Sequence, residues 1–589
     1  MGARSRKLFA RKFPSETTFP SSICASGKAF QMDRYHCLTA SIPGASGGDR
    51  CRITPGDVTR RLCFRGHVLP RSSALHSNVS LIRMSREGAK EGRRPMDTSV
   101  EARNASTRAR RDIASLPGPT SWPLVGNLLQ VDSERMHATL ESWAVKYGPL
   151  YRFDMGRRQT LVVARTDLIA QILRDRPDGW RRLQSMQEII REMGSHGLFS
   201  AEGDDWRRQR KLVMAAFDPG HLKRYFPALV RVTERLLKRL HSAADRGEVL
   251  DLQSLLMRYT VDVTAGLAFG VDVNTQEQPD DPLQAHLDKV FPMLMKRIFA
   301  PFPWWRFMKL PSDRAFDRHL AQVHEAVGGF VQAARARIDQ NMELLQRPTN
   351  LLEALIAARD EDGGGLSDEA IAGNVMTVLL GGEDTTANTL SWTLHLLHTH
   401  RSAWDEVVRR VDDVLGTESL PSTFEVARNF EYIERCVSEA MRLHPVAPLF
   451  LFERNSDTTL EDIAVPAGAT VICVPRSGAV DTKTMPDAQE FRPERWDPAT
   501  NKAVGAHDSS SRDALKASTP FGAGPRLCPG RYLAMLEMKM VLATVAKNFE
   551  LIEVATENGS PPKERLAFTM FPIGLRLRIA PRRDRARAV

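Results

Sequence analysis

The chain has 589 residues, 42% of them hydrophobic, and a formal charge of +11, enough for a large core and, by length, for more than one domain. The charge is uneven: residues 1–110 carry 21 Lys and Arg against 8 Asp and Glu, and the remainder is close to neutral. That excludes a nucleic-acid-binding body, which would carry basic stripes on its own elements, and the lack of any run of about 18 apolar residues excludes a membrane-spanning helix.

Residues 1–115 show no sustained helical or strand period and are rich in Arg, Ser and Gly, so they read as a disordered basic extension. Two origins compete: an organellar transit peptide, or a start set too far upstream, with the true start near Met84 or Met96. Four cysteines (Cys24, Cys37, Cys51, Cys63) and the lack of a clean amphipathic helix favour the second. The folded body is expected over 116–589. It opens with Pro117, Pro119 and Pro123, a rigid extended lead-in. Two apolar runs around Gly156 predict a hairpin. Helical periodicity dominates from about 165 to 445. Short strands and Pro/Asp-rich segments follow to 500, then a helix from Gly530 to about Asn548 and closing strands near 566–580. The expected class is mainly α with small β-sheets.

The stretch "FGAGPRLCPG", Phe521–Gly530, cannot run as helix or strand, because Gly and Pro punctuate both. Cys436 and Cys473 sit among apolar neighbours and read as core residues. Cys528 differs. A helix starts just behind it and Arg526 lies two residues away, and both favour thiolate over thiol. No C-x-x-C occurs, so a disulfide framework or zinc site is excluded and a reducing compartment expected. A lone thiolate suits a single axial bond to a metal held by something else.

This stretch resembles the heme-binding signature of the cytochrome P-450 family, F-x-x-G-x-R-x-C-x-G, with Phe521, Gly524, Arg526, Cys528 and Gly530 at its fixed positions. The resemblance, greatest to soluble bacterial members, implies a helical bundle around a buried heme b (iron protoporphyrin IX). It makes Cys528 the axial iron ligand, places Arg526 on a heme propionate and Phe521 near the sulfur. Thiolate ligation favours O–O cleavage. Pro529 has no N–H, so Gly530 and later amides must supply the hydrogen bonds to that sulfur.

Three further motifs follow the family order. "GGEDTT", Gly381–Thr386, lies in a long apolar helix over about 368–400 with Ser367 as N-cap. By resemblance, Thr385 hydrogen-bonds dioxygen and Asp384 helps deliver protons, and Gly381 stands where many members have Ala. "EAMR" gives Glu439 and Arg442, one helical turn apart, a scaffold pair that the family completes with an arginine from a later segment, here Arg495. "WRRQR" gives Trp206 and Arg210, which the family uses on a propionate. Arg454 is a further propionate candidate, although the segment after it is shorter than usual.

Residues expected by position to face substrate are Val378, Gly381, Val446 to Leu449, Thr569 and Met570, mostly apolar, which implies an apolar small-molecule substrate. The aromatic stretch 297–311 reads as cover over the access route or as ordinary helix packing, with a peripheral membrane contact a further option. Only 61 residues follow Cys528, so electrons must come from a separate ferredoxin or flavodoxin-type partner with its reductase. Arg207, Arg208 and Lys211 are offered as part of its docking patch. The expected activity is insertion of one oxygen atom from O2 into the substrate by a monomer in the cytoplasm, or in the mitochondrial matrix if 1–115 is a transit peptide. The alternatives are a peroxide-dependent or isomerase/dehydratase heme-thiolate enzyme, and a non-enzymatic heme ligand sensor.

Overall fold

The computed structural model describes residues 110–582, apart from 157, 279–281, 299, 301, 361–362, 484 and 499–517. The stretch 1–109, with its four cysteines and the choice between leader and upstream start, lies outside the described residues.

A two-residue strand, Arg111–Asp112, pairs in parallel with Ile463 and Ala464. Helix α1 (Met136–Tyr147) then leads into β1 (Leu150–Met155) and β2 (Arg158–Val163), the expected hairpin, paired antiparallel with Leu150 opposite Val163. Strand β3 (Trp180–Arg182) precedes the helical body: α2 (Gly203–Ala216), α3 (Pro219–Arg246), α4 (Leu252–Phe269), α5 (Pro282–Ile298), α6 (Pro311–Gln340), α7 (Asp368–Thr399), α8 (Arg401–Leu415) and α9 (Glu431–Leu443). Strands β4 (Phe450–Arg454) and β5 (Thr470–Cys473) return to the hairpin, giving a sheet in the order β1-β2-β5-β4-β3. Only the β2–β5 pairing is parallel. Helix α10 (Arg531–Asn548) follows the cysteine loop, and strands Phe549–Ala555 and Arg576–Pro581 close the chain antiparallel.

Two apolar cores organise the helices. One gathers α3, α8, α9 and α10 around Leu236, Leu390, Val407, Cys436 and Val541. The other gathers α2 and α6 around Trp206, Val213, Val327 and Leu355. Helix α7 joins them. Its first half supplies Ile371, Val375 and Leu379 to the second core, and its last half supplies Ala387, Leu390 and Leu397 to the first. At 32 residues it is about 48 Å long. The Ser367 hydroxyl accepts the Ala370 amide at 3.2 Å, and Asp368 and Glu369 lie in the positive first turn, so the helix starts where capping chemistry places it. The GGEDTT segment lies at the seam between the cores.

Cys436 and Cys473 are fully buried in apolar clusters, as the sequence predicts. The aromatic stretch divides in two. Arg297 is buried against Asp313 at 3.1 Å, between the rings of Trp305 and Phe316, and the Trp305 indole donates to Glu192 at 2.9 Å. Phe302, Phe307 and Met308 remain exposed. One half is therefore packing and the other is open surface.

Candidate active site at the cysteine loop

The cysteine loop is tied down before its sulfur is aimed. The Cys528 amide donates to the Phe521 carbonyl at 3.0 Å, and a 3-10 turn spans Gly524–Arg526. Gly524 has φ +67°, and a Cβ there would meet the Leu173 carbonyl oxygen at 2.5 Å. Only glycine combines that backbone with that approach. Phe521 packs against the first core. The half-buried Cys528 thiol receives the amides of Gly530 and Arg531, the donors that Pro529 leaves to the residues after it. Burial pushes the thiol above its usual value; those amides and the guanidiniums of Arg210 and Arg531 oppose the rise. The expected net preference for thiolate is thus not met by the chain alone, because desolvation outweighs the helix terminus.

The W-x-x-x-R helix reaches this loop from more than 300 residues away. Arg210 Nη2 donates to the Leu527 carbonyl at 2.6 Å, and the Arg526 guanidinium lies over the Trp206 ring at 4.5 Å. Arg526 also donates to the Ala201 carbonyl at 2.7 Å and to the Glu202 carboxylate. Two residues that the sequence reading did not name meet the same carboxylate. Arg176 Nη2 lies 3.4 Å from Glu202 Oε1, and the Arg182 amide donates to that oxygen at 3.1 Å. Burial pulls Arg526 down to about 9 and depresses Arg176 and Arg182 as well, with Glu202 opposing in each case. A guanidinium keeps its proton at neutral pH, so the depression measures an unmet demand for anionic partners. Arg176 Nε and Arg526 Nε and Nη1 are buried without a hydrogen-bond partner.

Arg454, the further propionate candidate, makes its contacts away from this cluster. Its Nη1 donates to Asp175 at 2.7 Å, its Nε to the Ser456 carbonyl at 2.8 Å, and its guanidinium lies over Trp180. Asp175, two residues before Pro177, supplies a carboxylate within reach, and the charge is satisfied there. Two arginines of the expected docking patch are exposed and paired with carboxylates. Arg207 is paired with Asp178 and Asp204, and Arg208 with Asp360 at 3.0 Å.

At the seam of α7, Gly381 is exposed in mid-helix and nothing lies within 4 Å of where its Cβ would be. Gly382 faces the other way: a Cβ there would sit 3.0 Å from Thr264 Oγ1 on α4. The first glycine opens space and the second lets two helices approach. The Thr385 hydroxyl donates to the Gly381 carbonyl at 2.6 Å. Its proton is engaged, so its oxygen is free to accept. Asp384 is half-buried beside it. Of the expected substrate-facing residues, Val378 and Leu449 are half-buried. Met570 is fully buried in a core, and Thr569 is buried and accepts from Asn388 at 3.1 Å. Those two are packing residues here. Beside them the half-buried ring of Phe568 meets Phe199 edge-on at 6.0 Å.

The E-x-x-R pair is completely enclosed. Arg442 Nε and Nη2 each reach the Glu439 carboxylate at 2.8 Å, and Arg495 Nε lies 3.3 Å from it. A groove of about 480 Å³ at the sheet edge is polar, lined by Arg158, Arg181, Glu188 and Glu453 among others, and takes in no residue of the cysteine loop or α7.

A mainly helical body thus surrounds a single hydrogen-bonded thiol, with under-partnered arginines on one flank and an opened helix at the seam. That is the class of a protein built around a dianionic, metal-bearing macrocycle. The chain belongs to the family described as Cytochrome P450, whose pattern matches residues 116–578. It is 29% identical to the pentalenene oxygenase of Streptomyces avermitilis over 79% of this chain and 97% of that one. It is 27% identical to human cytochrome P450 3A5 and 25% identical to rabbit (Oryctolagus cuniculus) cytochrome P450 3A6, each over 74% of this chain and 85% of the relative. The likeness therefore extends to mammalian as well as bacterial members. The protein is a monooxygenase of the P450 type with heme b as cofactor. The residues present fit that group, because buried guanidinium N–H groups await acceptors and the thiol is already hydrogen-bonded. No helix among the described residues is long and apolar enough to cross a membrane.

Proposed function

We propose that Cys528 is the axial ligand of heme b in a domain spanning 116–589, and that this domain oxygenates an apolar organic molecule by hydroxylation or epoxidation. The bound heme supplies thiolate-assisted activation of dioxygen. The chain's own residues do the rest. The amides of Gly530 and Arg531 hold negative charge on the sulfur against its burial. Arg526, Arg210 and Trp206 hold the propionate edge, and Phe521 shields the sulfur. Thr385, with its proton on the Gly381 carbonyl, accepts a hydrogen bond from water and would turn its O–H to dioxygen when that binds. Asp384 passes protons inward from its half-buried position, as proton delivery to the distal oxygen requires. Glu439, Arg442 and Arg495 hold the scaffold behind the loop.

The observation that carries this reading is the meeting of the W-x-x-x-R helix with the cysteine loop at Arg210 and Leu527. The Asp384–Thr385 pair favours oxygenation over a peroxide-dependent, isomerase or dehydratase reaction, and over a ligand sensor, because none of these needs protons delivered to dioxygen. Electrons come from a separate ferredoxin or flavodoxin-type protein with its reductase. Arg207, Arg208 and Lys211 form part of its docking patch, and charge reversal of all three should change the reduction rate and its salt dependence. The working form is a monomer located in the cytoplasm, or in the mitochondrial matrix if residues 1–115 act as a leader. The test is a substrate-induced shift of the heme absorption spectrum across a library of apolar compounds, followed by reductase-coupled turnover of those that bind. Binding with oxygenated product supports the reading; binding without turnover by any redox partner favours the sensor.

A further inference from the structure

The arginines around Glu202 raise a question of charge. Three arginines meet there from separate parts of the chain: Arg176 ahead of β3 and Arg526 in the cysteine loop by their guanidiniums, and Arg182 at the end of β3 by its backbone amide, its guanidinium donating to the Phe199 carbonyl at 2.7 Å. Arg176 and Arg526 are 5% exposed at the side chain and Glu202 is 15% exposed. Among the described residues, no other carboxylate hydrogen-bonds to any of the three. Of the neighbouring charges, Arg454 is balanced by Asp175 and Arg181 by Glu453 at 3.3 Å, while Arg210 donates to the Leu527 carbonyl and adds to the positive field on Arg526. These positive charges outnumber the one carboxylate by at least two, and an unpaired buried charge is expensive.

Glu202 itself is out of character. It is the N-cap of α2, a position that favours Ser, Thr, Asp or Asn, yet its side chain makes no capping hydrogen bond. The side chain turns to the arginines instead. The three guanidiniums also lie on aromatic faces: Arg176 over Phe452 at 4.5 Å, Arg182 over Phe199 at 3.7 Å and Arg526 over Trp206 at 4.5 Å. Aromatic faces hold a cation in place without neutralising it. The cradle is therefore fixed in shape and short of at least two negative charges.

We propose that Glu202 is a built-in counter-ion that keeps this three-arginine cradle assembled before heme binds, and that its surplus positive charge is met by the two propionates of heme b. This rests on the heme reading above and adds to it Glu202 as a positioning residue, with Arg176 and Arg182 as propionate partners. Heme adds two negative charges to a cluster in which Glu202 is the one carboxylate.

The consequence has opposite signs at two positions. Glu202→Gln removes the only anion of the heme-free cradle, while the loaded cradle keeps two. The variant lowers the melting temperature of heme-free protein far more than that of loaded protein, so the gap between the two widens. A role confined to the helix terminus would lower both alike and leave the gap unchanged. Arg176→Met removes a surplus charge whose one bond to Glu202 is long. It raises the melting temperature of heme-free protein and speeds heme loss to an excess of apomyoglobin by about tenfold, the equivalent of 1.4 kcal/mol. Where Glu202→Gln fails to fold without heme, Arg176→Met carries the test alone. The third arm replaces iron protoporphyrin IX by its dimethyl ester, which lacks both charges. Wild type retains the diacid at least about a hundredfold longer than the diester, and Arg176→Met and Arg182→Gln each narrow that ratio.

Equal retention of diacid and diester by a wild type that shows a thiolate-type carbon monoxide spectrum would overturn the cradle and leave the Cys528 assignment standing. Loss of that spectrum in wild type would overturn the assignment beneath it.

Discussion

Glu439→Gln keeps the shape of a buried side chain and removes its charge. The Glu439 carboxylate receives two bonds from Arg442 at 2.8 Å, the Arg492 amide at 3.0 Å and the Trp496 indole at 2.9 Å. The same guanidinium spends its remaining N–H groups on the carbonyls of Ala479 at 2.8 Å, Ala488 at 2.5 Å and Glu490 at 3.2 Å. One ion pair thus pins α9 to two later segments. Both side chains are 0% exposed, so no water replaces a lost partner. The glutamine amide would turn N–H groups towards donors and leave Arg442 charged and short of an anion. Breaking such a pair costs about 3–5 kcal/mol, a third or more of the roughly 5–15 kcal/mol that holds a domain folded. Urea unfolding followed by circular dichroism reads the loss directly, with the midpoint falling by about 1 M or more. Adding Arg442→Met removes the stranded charge, so the double variant should be less damaged than the sum of the singles by about 2 kcal/mol. A Glu439→Gln loss below about 1 kcal/mol, or strict additivity, would refute the reasoning.

Three other outcomes follow from buried groups. Burial alone would raise the Glu564 carboxyl, but hydrogen bonds with His137, His444 and Arg476 overcome this and hold it well below the usual range. A depressed carboxyl stabilises the fold above its ordinary pKa of about 4.3 and loses that contribution as pH falls further. Melting temperature should therefore drop steeply on acidification, and Glu564→Gln should flatten that drop while lowering stability at neutral pH. Glu537 is the reverse case. Burial pushes its carboxyl well above the usual range, so the folded chain keeps a proton that the unfolded chain releases above about pH 4.3. Stability falls as pH rises from there, and Glu537→Gln should remove that fall in unfolding measured at pH 5 and 8. Gly381→Ala enters open space, so it should stabilise α7 by about 1 kcal/mol and weaken spectral binding of bulky ligands relative to slim ones.

Legibility in the sequence tracked how local the chemistry is. The cysteine loop could be read because part of its logic is met within ten residues: Gly524 makes a left-handed turn and Gly530 gives its amide to the sulfur. Helix α7 could be read because its cap and first-turn acids sit next to one another. Glu439 and Arg442 are one turn apart, and only the later Arg495 needed the family pattern. Arg176, Arg182 and Glu202 could not be read, because each is an ordinary charged residue until folding brings the three arginines onto one carboxylate. The one local clue was a glutamate at a helix N-cap. Arg454 and the Arg207–Arg208 pair show the converse: the sequence displays a charge and hides Asp175, Asp178 and Asp360 opposite it. Thr569 and Met570 looked substrate-facing by position, but the fold turns both into packing.

The most direct test of the heme-thiolate assignment is the carbon monoxide difference spectrum of the reduced, purified protein, taken for wild type and Cys528→Ser side by side. Wild type should give the thiolate-type band, and the variant should lose it even where heme is retained. A Cys528→Ser protein with the same thiolate-type band would contradict the assignment, because no other cysteine among the described residues lies in this loop.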